Sequence, residues 1–477
     1  MQRTLALLVV GLTPRLIGEH TPHLARLAKK GAQRPLATIT PAVTCSVQST
    51  FVTGALPREH GIVANGWYFR DLAEVWLWRQ SNHLVAGKKV WELGRERDPS
   101  FTCAKMFWWY NMYSSADWSV TPRPMYPADG RKLPDVYAHP SELRDELNGA
   151  LGTFPLFNFW GPLADLRSSR WITDATKRVF ETKRPTLTLA YLPHLDYDLQ
   201  RLGPRDPRVA PALREVDALC GELIDMAEAA GARVVVLSEY GITEVTGPVH
   251  LNRALREAGL IAIRREQGRE LLDAGASDAF AVADHQLAHV YVRDPSRVAE
   301  VRRVLERVDG VERLLDREEQ AAFGLDHRRS GELVALSRAD RWFTYYFWED
   351  DAVAPDYART VDIHRKPGYD PVELFFDPRL AFPKLKAARR VLGKKLGFRN
   401  LLDVIGLDAN IVRGSHGRVT DDPNDGPVFL SSAPELIPEG PVAATGVRDL
   451  LLSHVFDGER SASGSPAQSR AGAAVEG

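Results

Sequence analysis

The chain has only three cysteines, Cys45, Cys103 and Cys220. Their number is odd and they lie far apart, so neither a disulfide framework nor a cysteine-rich zinc motif follows. Long apolar runs are also missing. In the opening MQRTLALLVVGLTPR the apolar part is too short to span a membrane. The same stretch lacks a small-residue cleavage site, so it reads as a first buried strand. Neither sign of charge dominates: 61 basic and 62 acidic side chains leave a net charge of -1. That balance gives no electrostatic footprint for nucleic acid. No internal repeat is visible. These absences predict a soluble, cytoplasmic protein without a membrane span, its oligomeric state left open.

At 477 residues with 44% apolar content, the chain can bury a large core. Leu5–Leu12 is a continuous apolar run, the pattern of a strand buried on both faces. Thr21-Pro22 predicts a helix with Thr21 as its N-cap and Gly31 as its stop. A strand over Thr186–Leu192 runs into Pro193-His194-Leu195-Asp196-Tyr197-Asp198. A helix around Pro211–Ala230 then leads to a strand at Arg233–Leu237, which ends in Ser238-Glu239-Tyr240-Gly241. Such alternation predicts a parallel sheet with helices on both faces. In sheets of this kind chemistry gathers at the carboxyl ends of strands.

The expected organisation is a core over 1–242, with a proline-rich excursion at about 121–170. An inserted α+β lobe over 243–412 covers the site and ends in a basic helix around Pro383–Leu396. The chain returns to the core over 413–456, and a Ser/Ala/Gly-rich tail at 457–477 is expected to be disordered. Residues 66–120 are rich in aromatics. Most read as core packing, with Trp67 and Tyr68 as candidates for a substrate wall because they follow Asn65.

The most informative stretch is Thr38–Asn65. Thr44 sits where a short helix begins, Gly54 stops it and Pro57 follows. A hydroxyl at a helix N-terminus meets free N–H groups and a half-positive end, which favours an anion. A plain helix cap is the alternative use of Thr44.

Thr44, Thr53-Gly54, Pro57, His60-Gly61-Ile62 and Asn65 together resemble the nucleophile region of the type I phosphodiesterase/nucleotide pyrophosphatase family, in the alkaline phosphatase superfamily. The resemblance implies a three-layer α/β sandwich around a mostly parallel sheet, with an inserted cap or lobe. It implies that Thr44 attacks phosphorus and that Asn65 holds a phosphate oxygen. It also implies divalent metal, usually two zinc ions. Asp196 and His416, the latter in Gly-Ser-His-Gly, fall on metal-ligand positions of the family. Glu239 and Thr44 are the remaining matches.

Several ligand positions depart from that pattern. The first strand ends Leu8-Val9-Val10-Gly11 where the family has an aspartate. Gln200 and Tyr240 each stand where the family has a histidine. Possible local substitutes are Asp198, two residues from Asp196 and on its side if the segment is extended, and the Asp284/His285/His289 cluster. Oxygen-rich ligands would favour manganese or magnesium over zinc. The number of ions, one or two, stays open.

The leading expectation is a metal-dependent hydrolase of phosphodiester or phosphoanhydride bonds in a small phosphate ester, working through a phospho-threonine. The alternatives are a relative with altered chemistry, such as a phosphomutase or transferase, and a non-catalytic ligand-binding protein that has lost its metal sites.

Overall fold

The computed structural model describes residues 1–457 except 397 and 399; the expectation for the tail falls outside these residues from 458 onward. In chain order the core strands are β1 (Thr4–Val9), β2 (Ala32–Ala37), β3 (Cys103–Met106), β4 (Trp118–Pro122), β5 (Val136–His139), β6 (Leu187–Leu192) and β7 (Arg233–Leu237). The chain then builds a second sheet from β8 (Ala279–Asp284), β9 (Leu287–Val292), β10 (Val311–Leu315) and β11 (Leu333–Ser337). It comes back to the first with β12 (Val428–Ser431) and β13 (Val442–Ala443).

The main sheet is nine-stranded, in the order β13-β2-β12-β7-β1-β6-β3-β4-β5. β1 lies at its centre, parallel to both β6 and β7. Every residue of β1 and β6 is buried, and two-sided burial is why Leu5–Leu12 reads as a continuous apolar run. The segment at 121–170 supplies the antiparallel edge strand β5 and the helix Glu142–Leu151 that packs on it.

The helices used below are α1 (Pro22–Lys30), α2 (Thr44–Thr53), α3 (Leu166–Lys183), α4 (His194–Leu202), α5 (Ala210–Ala229), α6 (Pro383–Lys395) and α7 (Val447–Phe456). α1, α3 and α5 pack together on the sheet, and α2 packs with α7, which lies against β1. The second sheet is antiparallel, in the order β8-β9-β11-β10, with its own apolar core. The tight turn between β8 and β9 points into the carboxyl end of the main sheet, where Asp284 meets Asn65.

The start of α1 differs from the sequence reading. Thr21 makes no cap bond; its hydroxyl donates to the Leu16 carbonyl and accepts from the Gly18 N–H. The cap comes from α5. Asp217 accepts from the N–H groups of His23 (3.0 Å) and Leu24 (2.9 Å). A cap supplied from another helix leaves no local spacing to read. Asp217→Ala therefore leaves two N–H groups at the start of α1 without this acceptor, that of Leu24 buried, and chemical unfolding should show a loss of about 1–3 kcal/mol.

Candidate active site

Thr44 is the first residue of α2, and Val43 is its extended N-cap. Gly54 ends the helix at φ +67, a left-handed conformation that glycine adopts without strain. β6, β1 and β7 are neighbours, so their carboxyl ends bring Asp196, Gly11 and Glu239-Tyr240 close together.

The Thr44 hydroxyl is hydrogen-bonded to the Tyr240 hydroxyl at 3.0 Å, and Thr44 is only 4% exposed. Asn65 does not aim its whole amide at an open site. Its Oδ1 accepts from the Cys45 N–H (2.9 Å), while its own N–H and Nδ2 donate to the two oxygens of Asp284 (2.8 and 3.0 Å). Asn65 thus joins the first turn of α2 to the turn between β8 and β9.

Three buried carboxyl groups surround this point, and each is held by a carboxamide. Gln200 donates to Asp196 Oδ2 (2.9 Å), Gln48 to Glu239 Oε1 (2.7 Å) and Asn65 to Asp284. Burial outweighs these bonds. It pushes Asp196 up to about 7, Glu239 up to about 8 and Asp284 up to about 7. Asp196 Oδ1 and Glu239 Oε2 are buried without a partner among the described residues.

Aromatic rings close the space. Tyr240 stacks on His416 (3.5 Å between centroids, 6° between planes), His416 meets His285 (3.6 Å), and His285 stacks on Tyr369 (3.6 Å). The Tyr369 hydroxyl donates to Gln200 Oε1 (3.2 Å). His416 Nδ1 donates to the Ala42 carbonyl (2.8 Å), which leaves Nε2 bare. Burial drives His416 down to about 3 and His285 well below its ordinary value, so both rings are neutral. His285 takes φ +60, a conformation unusual for a side chain of this size. Strain of this kind persists where the surroundings impose it.

The structure therefore gathers Thr44, Asn65, Asp196, Glu239, Asp284, His285 and His416. It does not gather Asp198 or His289. The segment after β6 is helical, not extended, so residues two apart point to different sides, and Asp198 pairs with Arg201 (3.2 Å). His289 bonds the Val63 carbonyl (3.0 Å) and the Gly331 N–H (3.1 Å), a structural join between segments. Trp67 is buried against Phe69 beneath Arg329, and Tyr68 packs on Phe280 and Tyr291. Trp67 thus lies in the core, and Tyr68 is half-buried. The sequence reading missed Gln48 and Tyr369. Gln48 lies four residues after Thr44, one helical turn on, and that spacing was the available signal. Tyr369 arrives from beyond the second sheet and had none.

The sequence profile described as type I phosphodiesterase / nucleotide pyrophosphatase matches residues 4–370. The chain belongs to this family. An uncharacterized pyrophosphatase/phosphodiesterase of Schizosaccharomyces pombe is 26% identical over 235 residues, 46% of this chain and 41% of the relative. The alignment thus spans less than half of that relative's length. The fold is shared with phosphonoacetate hydrolase from Sinorhizobium meliloti, solved with phosphonoformate (TM-score 0.59, 15% identity, 95% of this chain and 96% of that one). It is shared too with murine ectonucleotide pyrophosphatase / phosphodiesterase 5, solved as an inactive threonine-to-alanine form with AMP (TM-score 0.58, 14% identity, 95% of each chain).

The family's cation pair does not fit the donors present. The end of β1 offers Val9 and Val10, which have no donor, and Gln200 and Tyr240 present an amide and a neutral phenol where the resemblance implies imidazoles. Among the described residues, no group of three or more His, Cys, Asp or Glu side chains is placed to hold a metal ion.

The buried carboxyls give a pH signature. Glu239 has its folded value raised above the ordinary 4.5, so its contribution to stability is full below about 4.5 and is lost as pH rises through about 8. Glu239→Gln mimics the protonated form and keeps an acceptor for Gln48. Urea unfolding between those limits should show a shallower fall of stability with pH in the variant than in the parent chain.

Proposed function

We propose that this chain is a hydrolase of small phosphate esters or anhydrides that uses Thr44 as its nucleophile. The observation that carries the reading is the Thr44 hydroxyl at the first turn of α2, bonded to Tyr240 and ringed by carboxyls of raised pKa. The phosphate belongs at the mouth of α2, where the helix end favours an anion. The second Nδ2 hydrogen of Asn65 is a further donor.

In this reading Thr44 Oγ1 attacks phosphorus as the bond to the leaving alkoxide or phosphate breaks. The Thr44 proton passes to the Tyr240 oxygen as Tyr240 gives its own proton to the ionised carboxylate of Asp196 or Glu239, both within electrostatic reach of it. A carboxyl titrating near neutrality both accepts and returns protons, as general acid–base catalysis requires. Water then cleaves the phospho-threonine, and the proton returns to Oγ1. Asp196 Oδ1 and Glu239 Oε2, without partners among the described residues, are available to bond that water. Because Thr44 is buried beneath Tyr240, the ring column must part for substrate to enter.

Support comes from the family and from two neighbours described with a nucleotide and a phosphonate bound. A second reading, a phosphate-ester binder without turnover, is favoured by that same column over Thr44 and by Gln200 and Tyr240 at ligand positions.

A p-nitrophenyl phosphodiester assay separates them. The parent chain should release nitrophenol and Thr44→Ala should abolish release. An unchanged rate in Thr44→Ala removes the threonine from its role. Saturable AMP binding by a parent chain that releases no nitrophenol establishes the second reading.

A further inference from the structure

α6 is amphipathic in the reverse sense. Its sequence PKLKAARRVLGKK holds six lysines and arginines and no acid. In a globular protein the apolar stripe of such a helix faces the core. Here two of the charged residues face the body: Lys386 and Arg390, one turn apart, both pair with Asp403 (3.0 Å each). The opposite stripe, Leu385, Ala388, Leu392 and Leu396, faces solvent at helical spacing. Leu385 is 67% exposed, Leu392 58% and Leu396 66%. Phe382 and Phe398, 73% and 66% exposed, extend the patch at either end. Lys384 and Arg389 are exposed beside the stripe.

Scattered exposed leucines are ordinary, but a continuous stripe of this kind marks an interaction surface. Charge identifies the partner. The whole chain has net charge -1, and α6 alone carries +6 in 13 residues, which leaves -7 for the rest. A second copy docked through the same face would set this basic helix against itself. An anionic surface with an apolar interior meets both features: headgroups pair with Lys384 and Arg389, and the leucines and phenylalanines enter the acyl boundary. No helix among the described residues is long and apolar enough to cross a membrane, so the contact is one of lying on the surface.

We propose that α6 is an interfacial helix that docks the protein on anionic lipid membranes.

Vesicle flotation with the full chain tests this, using phosphatidylcholine vesicles with and without phosphatidylserine. The chain should float with the anionic vesicles, and salt should weaken the association. Leu385→Glu/Leu392→Glu should reduce flotation by about tenfold or more, and Lys384→Glu/Arg389→Glu should reduce it only for anionic vesicles. These side chains are exposed, so circular dichroism and the unfolding midpoint should not change. Equal flotation with neutral vesicles, no flotation with either, or undiminished flotation of the leucine variant overturns the proposal. So does a dimer in light scattering that the leucine substitutions dissolve while no vesicle binding is seen, since the stripe would then cover a second copy.

Discussion

A carboxyl group taken out of water must be paired, hydrogen-bonded or protonated. That requirement governs the centre of this molecule. Asp196, Glu239 and Asp284 all lie buried around Thr44, and none has a cationic side chain as its hydrogen-bond partner. The chain answers with carboxamides. Gln200 sits one helical turn after Asp196, Gln48 one turn after Thr44, and Asn65 between α2 and the turn after β8. Each amide bonds one carboxyl, and the remaining cost of burial appears as raised pKa values.

The same requirement explains how two sheets share one site. The main sheet sets Asp196 and Glu239 at the ends of β6 and β7, and α2 sets Thr44 before them. The second sheet inserts the turn after β8. Asp284 accepts both bonds of Asn65, Gln286 donates its N–H to the His416 carbonyl (2.7 Å), and His285 enters the stack between His416 and Tyr369. The left-handed conformation of His285 is held by that packing. Opening the site therefore means moving a turn anchored from both sides.

Much of this was legible in the residues. A continuous apolar run marked β1 because both faces of a central parallel strand are buried, and strand–helix alternation marked β6. Gly54 and Pro57 bounded α2 by their backbone preferences. Asp196, Glu239 and Thr44 could be placed together because strand ends in such a sheet converge. What could not be read was tertiary. Asp217 caps a helix some 190 residues away in sequence. Tyr369 reaches the site from beyond the second sheet. Asp198 shares the side of Asp196 only in an extended segment; in α4 their directions diverge. The Asp284/His285/His289 cluster was split by the pleat and by competing hydrogen bonds, which sent His289 to the Val63 carbonyl.

An amide, Gln200, and a phenol, Tyr240, occupy positions where the family resemblance implied cation ligands. Calorimetric titration of the full chain with zinc, followed by metal analysis of the dialysed protein, tests this most directly. The donor set predicts no stoichiometric retention of a metal pair. Two ions per chain retained after dialysis would contradict it.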